Sequence, residues 1–289
     1  MIIDCHYHLE PRIESLSDLL KKMHECHIDK VALIPTMIDP FPEPPEILLS
    51  LFMKLLKNKA LRPLAKLLCS NFTNQGDIQI LSKSYSIYPE PDNTTVFDVI
   101  DRYPYNFLGW IFVNPQSNQN MVSEVLKWID HPNCVGIKAH PFWHRFPPLY
   151  LVDVAKIAVQ KDKPLLLHLG FNDHGNFNSL IQAVPEIKLI LAHAAFPEFY
   201  DTWKIIKKLP NVYVDISQTS YINEQTIKEV VNFLGPGKCL FGTDGPYGSK
   251  DRDGLFDFNI ILKQVKHLFP EAIDQNRILG ENFLKLVKL

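Results

Sequence analysis

No stretch of this chain stays apolar for the ~18 residues that a bilayer-spanning helix needs, although 46% of its 289 residues are hydrophobic. Basic runs are missing too. Lys and Arg number 30 against 32 Asp and Glu, a net charge of −2, so the electrostatic footprint of a nucleic-acid binder is absent. Cysteine is scarce and unpatterned. The thiols Cys5, Cys26, Cys69, Cys134 and Cys239 are odd in number and form no C-x-x-C pair, which fits neither a disulfide framework nor a thiolate zinc site. The cluster Gly235-Pro236-Gly237-Lys238 lacks the spacing of a phosphate loop. The opening residues lack the basic start, apolar core and cleavage site of a signal peptide. The expectation is a reduced, cytoplasmic protein with neither membrane nor nucleic acid as partner.

What is present is a repeated alternation. Short β-rich runs alternate with helical periodicity, the pattern of βα units around a parallel sheet. Eight strands are expected: Ile2–His6, Lys30–Pro35, Phe107–Val113, Cys134–Ala139, Pro164–His168, Lys188–Ala192, Asn211–Asp215 and Lys238–Gly242. Their near-continuous apolar character suits strands covered on both faces. Helices are expected between them, from Ser15–Cys26 to Phe256–His267, with Glu281–Leu286 closing the chain. Eight such units need about 250 residues, so one α/β domain, a (β/α)8 TIM barrel, accounts for the length. The surplus is residues 39–91, where Pro-rich edges enclose a Leu/Lys-rich helical stretch from Glu46 to Leu68. A loop leaving the C-terminal end of the second strand hangs over the face where barrels place their chemistry, so this insertion reads as a helical lid, with a dimer contact as the plainer alternative. The Leu/Lys amphipathicity of Leu61–Leu68 reads as a half-buried helix rather than a membrane binder.

Residues of metal-binding type stand where apolar runs end. His6 and His8 close the first run, Lys138 the fourth, His168 the fifth and His193 the sixth, and Asp244 follows Leu-Phe-Gly-Thr. Residues two apart on a strand share a side, so both imidazoles of His6-x-His8 can reach one cation, while Cys5 and Tyr7 are expected to point outward as packing. Two or three neutral imidazoles and one carboxylate leave Zn²⁺ positively charged, with coordination positions open for water. Such water has a pKa near 7 rather than 15.7. A free ammonium beside such a cation is repelled, so Lys138 must be modified, neutral, or turned toward an anionic group.

These segments, read in order, resemble the amidohydrolase superfamily, in the branch of TIM-barrel metal-dependent hydrolases that includes aminocarboxymuconate-semialdehyde decarboxylase. The resemblance rests on Ile3-Asp4-Cys5-His6-Tyr7-His8, Gly136-Ile137-Lys138-Ala139-His140-Pro141, Leu167-His168-Leu169-Gly170, Leu191-Ala192-His193-Ala194-Ala195, Asn211-Val212-Tyr213-Val214-Asp215, Phe241-Gly242-Thr243-Asp244-Gly245-Pro246 and the closing Gly280-Glu281-Asn282 turn. It implies that His6, His8, His168 and Asp244 are metal ligands. It makes His193 either a ligand of a second metal or the catalytic histidine beside a single one. It makes Asp244 also the acceptor of a proton from the attacking water, and Lys138 a candidate bridging carboxylated lysine. The cofactor implied is a divalent metal, Zn²⁺ first, as one or two ions.

His140, Trp143, His144 and Arg145 follow the fourth strand and are candidate substrate contacts, with Arg145 suited to grip a carboxylate through its planar fork. Asp215, beside Ser217, reads as hydrogen-bonding support for a neighbour. The expected activity is hydrolysis of an ester, lactone or amide of a small organic acid by a metal-activated water, in a chain that forms homodimers or acts alone. The alternatives are a metal-dependent non-oxidative decarboxylase of an aromatic or muconate-like acid, and a metabolite-binding barrel without turnover.

Overall fold

The computed structural model describes residues 1–42, 45–68, 73, 76–80 and 83–288. Strands β1 (Ile3–Leu9) and β2 (Lys30–Pro35) begin a parallel sheet. A short antiparallel hairpin, β3 (Ile78–Ile80) with β4 (Lys83–Tyr85), interrupts it. The sheet then continues through β5 (Phe107–Phe112), β6 (Cys134–Ala139), β7 (Leu165–Leu167), β8 (Leu189–Leu191), β9 (Val212–Asp215) and β10 (Cys239–Leu240). These eight sheet strands are the eight expected ones: β1 runs on past His6 to Leu9, β2 and β6 keep their expected bounds, and the other five are shorter. β1 pairs with β2 at one side, and its other edge meets the chain after β10. There Cys5 N–H donates to the Phe241 carbonyl at 3.0 Å, Asp244 N–H to His6 at 2.8 Å and His8 N–H to Gly245 at 2.6 Å. Those bonds close the (β/α)8 barrel.

Helices wrap the outside because their apolar stripes match the outward strand residues. Leu16–Glu25 is capped by Ser15, whose hydroxyl accepts from Asp18 N–H at 3.2 Å, and it buries Leu19 and Met23. Outward residues Val31, Leu33, Phe107, Ile111, Leu165, Leu189 and Val212 pack against the helices, while Ala32, Ile34, Leu108, Trp110, Leu166, Ile190 and Leu240 fill the barrel interior. Among the described residues no helix is long and apolar enough to cross a membrane.

Two local departures from alternation decide which side chains face inward. In β1 the register slips between Asp4 and Tyr7. As a result Cys5 packs in the interior cluster beside Ala32 and Trp110, and His6 is also on the inner side. Tyr7 points outward onto Phe256 and Phe258. The expectation that Cys5 points outward is therefore corrected: a bulge places two consecutive residues on one face. In β6 the second slip falls at Gly136, whose φ is +155°. A Cβ there would lie 2.2 Å from the Pro164 carbonyl oxygen, so only glycine fits. This bulge turns Lys138 inward after the inward Val135.

The insertion holds two helices, Glu46–Lys57 and Arg62–Leu68, where the sequence suggests one helical stretch. Extended backbone at Asn58 separates them. The hairpin β3–β4 follows, which the sequence does not announce. Pro44 and Cys69 lie outside the described residues.

Candidate metal centre

Inward-facing residues at the C-terminal ends of the strands converge on one buried cluster. His6 Nε2 and His8 Nε2 each lie 3.2 Å from Asp244 Oδ1, so three ligand atoms already meet, all within 4.8 Å of one another. A second such group is His6, His193 and Asp215. Asp244 sits at φ +57° and His193 at φ +54°. Both residues take left-handed backbone, uncommon outside glycine and asparagine and concentrated at functional sites. At His193 that turn swings inward a side chain one residue past the inward Ala192.

Asp215 orders the whole cluster. Its Oδ2 accepts from His6 Nδ1 at 2.9 Å, and its Oδ1 accepts from His193 N–H at 2.9 Å and from the Ser217 hydroxyl at 2.5 Å. The proton on His6 Nδ1 leaves a lone pair on Nε2. Because Ser217 donates to Asp215, its oxygen accepts from His193 Nδ1 at 2.8 Å. His193 Nε2 then accepts from His168 Nδ1 at 3.2 Å, which leaves a lone pair on His168 Nε2. One carboxylate thus sets three tautomers, the way outer-shell partners orient metal-ligating histidines. Among the described residues the buried atoms His168 Nε2 and His8 Nδ1 have no hydrogen-bond partner. This donor set fits a divalent cation: two imidazole nitrogens and a carboxylate oxygen meet at one point, beside the unpartnered His168 Nε2. His168 lines the same cleft but stays outside the three-atom cluster, its Nδ1 held by His193.

Electrostatics follow from burial. It lowers the pKa of His193 to about 4 and holds His6, His140 and His168 below the ordinary imidazole value, so all four rings are neutral at pH 7. Burial pushes the Asp244 carboxyl upward, but His6, His193 and His8 together outweigh it and keep the group well below the usual carboxylate range. Lys138 is fully buried, and desolvation lowers it to about 8, against the pull of Asp244 and Asp215. Its Nζ lies 3.3 Å from His6 Nε2, on the very lone pair that would bind metal.

Behind the ligands, Asp4 accepts from Thr243 N–H at 3.1 Å, the Thr243 hydroxyl at 2.5 Å and His6 N–H at 3.0 Å. Burial raises its carboxyl to about 7. Gln218 Nε2 donates to Asp244 Oδ2 at 2.8 Å. Sequence reasoning missed Asp4 and Gln218. The signal for Asp4 was a charged residue inside an apolar run; Gln218, on a loop, gave none.

Above the cluster lies a cleft of about 50 Å³ lined by His8, Met37, Ile38, Phe41, His140, Trp143, His168, Gln218, Tyr221, Asp244 and Tyr247. Of the four loop candidates, His140 and Trp143 reach it. His144 is buried, with Nε2 donating to the Tyr88 carbonyl at 3.0 Å. Arg145 is exposed and is not among the lining side chains. Tyr247 packs edge-on to His8 and donates to Glu10 at 3.1 Å. Glu10 in turn is held by Arg12, which also reaches Asp39 at 2.7 Å and Tyr88 at 3.1 Å. Both ends of the insertion are therefore tied to the loop after β1.

Comparison with known proteins agrees with this architecture. Residues 76–289 match the family described as amidohydrolase. Over 113 residues, 34% of the chain, the sequence is 27% identical to Protein fluG of Emericella nidulans, and the matched part is 13% of that protein's length. Among solved structures, the fold is similar to a dihydroxybenzoic acid decarboxylase from Polaromonas with bound manganese and the inhibitor 2-nitroresorcinol (TM-score 0.64, 14% identity, covering 100% of this chain and 97% of that one). It is also similar to a probable 2-pyrone-4,6-dicarboxylic acid hydrolase from Acinetobacter baumannii with citric acid bound (TM-score 0.60, 14% identity, 100% and 99%).

Proposed function

The chain belongs to the amidohydrolase family, and from that premise we propose that it is a divalent-metal-dependent decarboxylase of a small hydroxylated aromatic acid. The observation that carries this reading is the wall of the cleft. Phe41, Trp143, Tyr221 and Tyr247 bring flat rings against the ligand cluster, with His140 stacked on Trp143 at 5.8 Å. Such walls suit a planar substrate and strip water from its carboxylate. The decarboxylase among the similar folds supports the same substrate class.

His6, His8 and Asp244 would hold the cation, with His168 Nε2 turned to the same cleft. A bound divalent cation supplies Lewis-acid polarisation of substrate oxygens. Asp244, fixed by Gln218 and kept as a carboxylate, takes the phenolic proton as the substrate binds. It returns that proton to the ring carbon that bears the carboxylate. The C–C bond to the carboxylate then breaks, its electron pair goes to the ring, and CO₂ leaves. His193, neutral and aimed by Ser217, keeps its Nε2 as acceptor from His168 Nδ1 at 3.2 Å and so holds that ring toward the cleft. Lys138 balances Asp244 and Asp215 while no cation is held. Beside a bound cation it would be held without its proton, as the neutral amine or as a carbamate made with CO₂. The insertion, residues 39–91, acts as a lid, since Phe41 and the residues just before it wall the cleft and Arg12 clamps its two ends.

Hydrolysis of an ester or lactone is the second reading. It is favoured by the anionic Asp244 as a ready base and by the hydrolase among the similar folds. The two reactions separate in one experiment. The manganese- or zinc-loaded protein is given a panel of hydroxybenzoates, lactones and esters in D₂O enriched in ¹⁸O, with released CO₂, ring deuterium and product ¹⁸O measured. CO₂ release with one deuterium in the ring supports decarboxylation; turnover only of lactones or esters, with ¹⁸O taken from water, overturns it.

A further inference from the structure

The exposed face of the insertion is unexplained by the cleft. Helix Glu46–Lys57 presents Ile47, Leu48 and Leu51 to solvent, and the turn and helix that follow present Leu61, Leu64 and Leu67. The last three are spaced i, i+3 and i+6, so they share one face, and their exposure runs from 39% to 67%. The stretch Leu61–Leu68 has a buried side at Ala65 and an exposed side at Leu61, Leu64 and Leu67. Ala65, and Leu56 from the preceding helix, are buried beneath them.

Charge on this face has one sign. Lys54, Lys57, Lys59 and Lys66 are exposed among the leucines, and no Asp or Glu occurs from residue 47 to residue 76. Below it lies a cleft of about 530 Å³ between Lys57 and Arg62 on one side and Tyr200, Trp203 and Phe233 on the other. Lys204 covers the Tyr200 ring and Lys207 the Phe233 ring. Glu198 and Glu229 also line this cleft, so the single sign belongs to the helices rather than to the whole side.

We propose that this face docks on an anionic lipid bilayer, with the leucines entering the acyl boundary and the lysines meeting the headgroups. Exposed apolar side chains flanked by lysines on an amphipathic helix suit that surface, and aromatic rings at the water boundary add to it. A second copy of the chain fits less well, because a two-fold contact sets each lysine row against itself. A folded protein partner is also a poorer match. Specific contacts concentrate Trp, Tyr and Arg in pockets, whereas lysine is depleted there.

The test is co-sedimentation of the full, metal-loaded chain with vesicles of phosphatidylcholine alone or with added phosphatidylserine. Each lysine near an anionic surface adds about fivefold to binding, so the serine-lipid vesicles should retain at least about tenfold more protein, released at ~0.5 M NaCl. Leu64→Asp with Leu67→Asp should abolish binding and leave the melting temperature unchanged. If that pair misfolds, Lys54→Glu with Lys66→Glu tests the same face. No binding to the anionic vesicles, equal binding to neutral ones, or a dimer that the leucine variant dissolves overturns the proposal.

Discussion

Lys138 Nζ stands 3.3 Å from His6 Nε2, so a cation held by His6 would have to compete with a buried ammonium for one imidazole lone pair. Metal affinity should therefore rise with pH until Lys138, held near 8 by burial, has lost its proton, and level off above that. Chelator competition at pH 6.5, 7.5 and 8.5 measures it. Lys138→Met should flatten the slope and tighten binding about tenfold at pH 7, one unit below that value. If Lys138 is instead carboxylated between two ions, the same variant should lower the metal count from two to one. An unchanged slope and count would refute both.

Asp244→Asn keeps the shape of the side chain but removes the anion that meets His6 and His8 at 3.2 Å. Turnover should fall about 10²–10⁴-fold through loss of the proton acceptor alone. A variant that is loaded with metal and fully active sinks the proposed mechanism.

Asp215 touches no substrate in this arrangement, yet it sets the tautomers of His6 and His193. Asp215→Asn should weaken metal binding by about 10–100-fold while the barrel stays folded. Calorimetric titration beside a thermal melt distinguishes loss of orientation from loss of structure.

His144 offers a handle away from the ligands. Burial, only partly opposed by its bond to the Tyr88 carbonyl, lowers the ring to about 4. The unfolded chain takes a proton below its ordinary 6.5 while the folded state does not, so stability falls as pH drops from 6.5 toward 4. The full loss for one such group is about 3 kcal/mol. His144→Phe should make the acid limb of the stability curve shallower by that amount; an unaltered limb would show that the ring titrates freely.

Arg12→Ala should loosen the insertion. It leaves the buried Glu10 carboxylate facing only Tyr247 and its own backbone surroundings. Removing one partner of a buried pair costs about 3–5 kcal/mol, and the half-exposed arginine places this variant at or below the lower end. Faster proteolysis within residues 39–91 at an unchanged barrel core is the expected result.

The eight barrel strands were legible because each is covered on both faces and so reads as an unbroken apolar run. The strand-end histidines and Asp244 were legible for the same reason, as polar residues where such runs stop. Strict alternation then misleads in two places. Nothing in the residues of β1 announces the bulge that turns Cys5 inward beside His6. Gly136 is a visible glycine, but its effect on the side that Lys138 faces depends on the close approach of Pro164. Ser217 and Gln218 lie on a loop where no periodicity constrains them. The β3–β4 hairpin is too short to rise above the polar residues around it.

The bonds that close the barrel also bring Asp244 to the two histidines of β1. A cation held by all three would therefore lace the first strand to the segment after the eighth, and stripping it with a chelator would let those two strands part more readily.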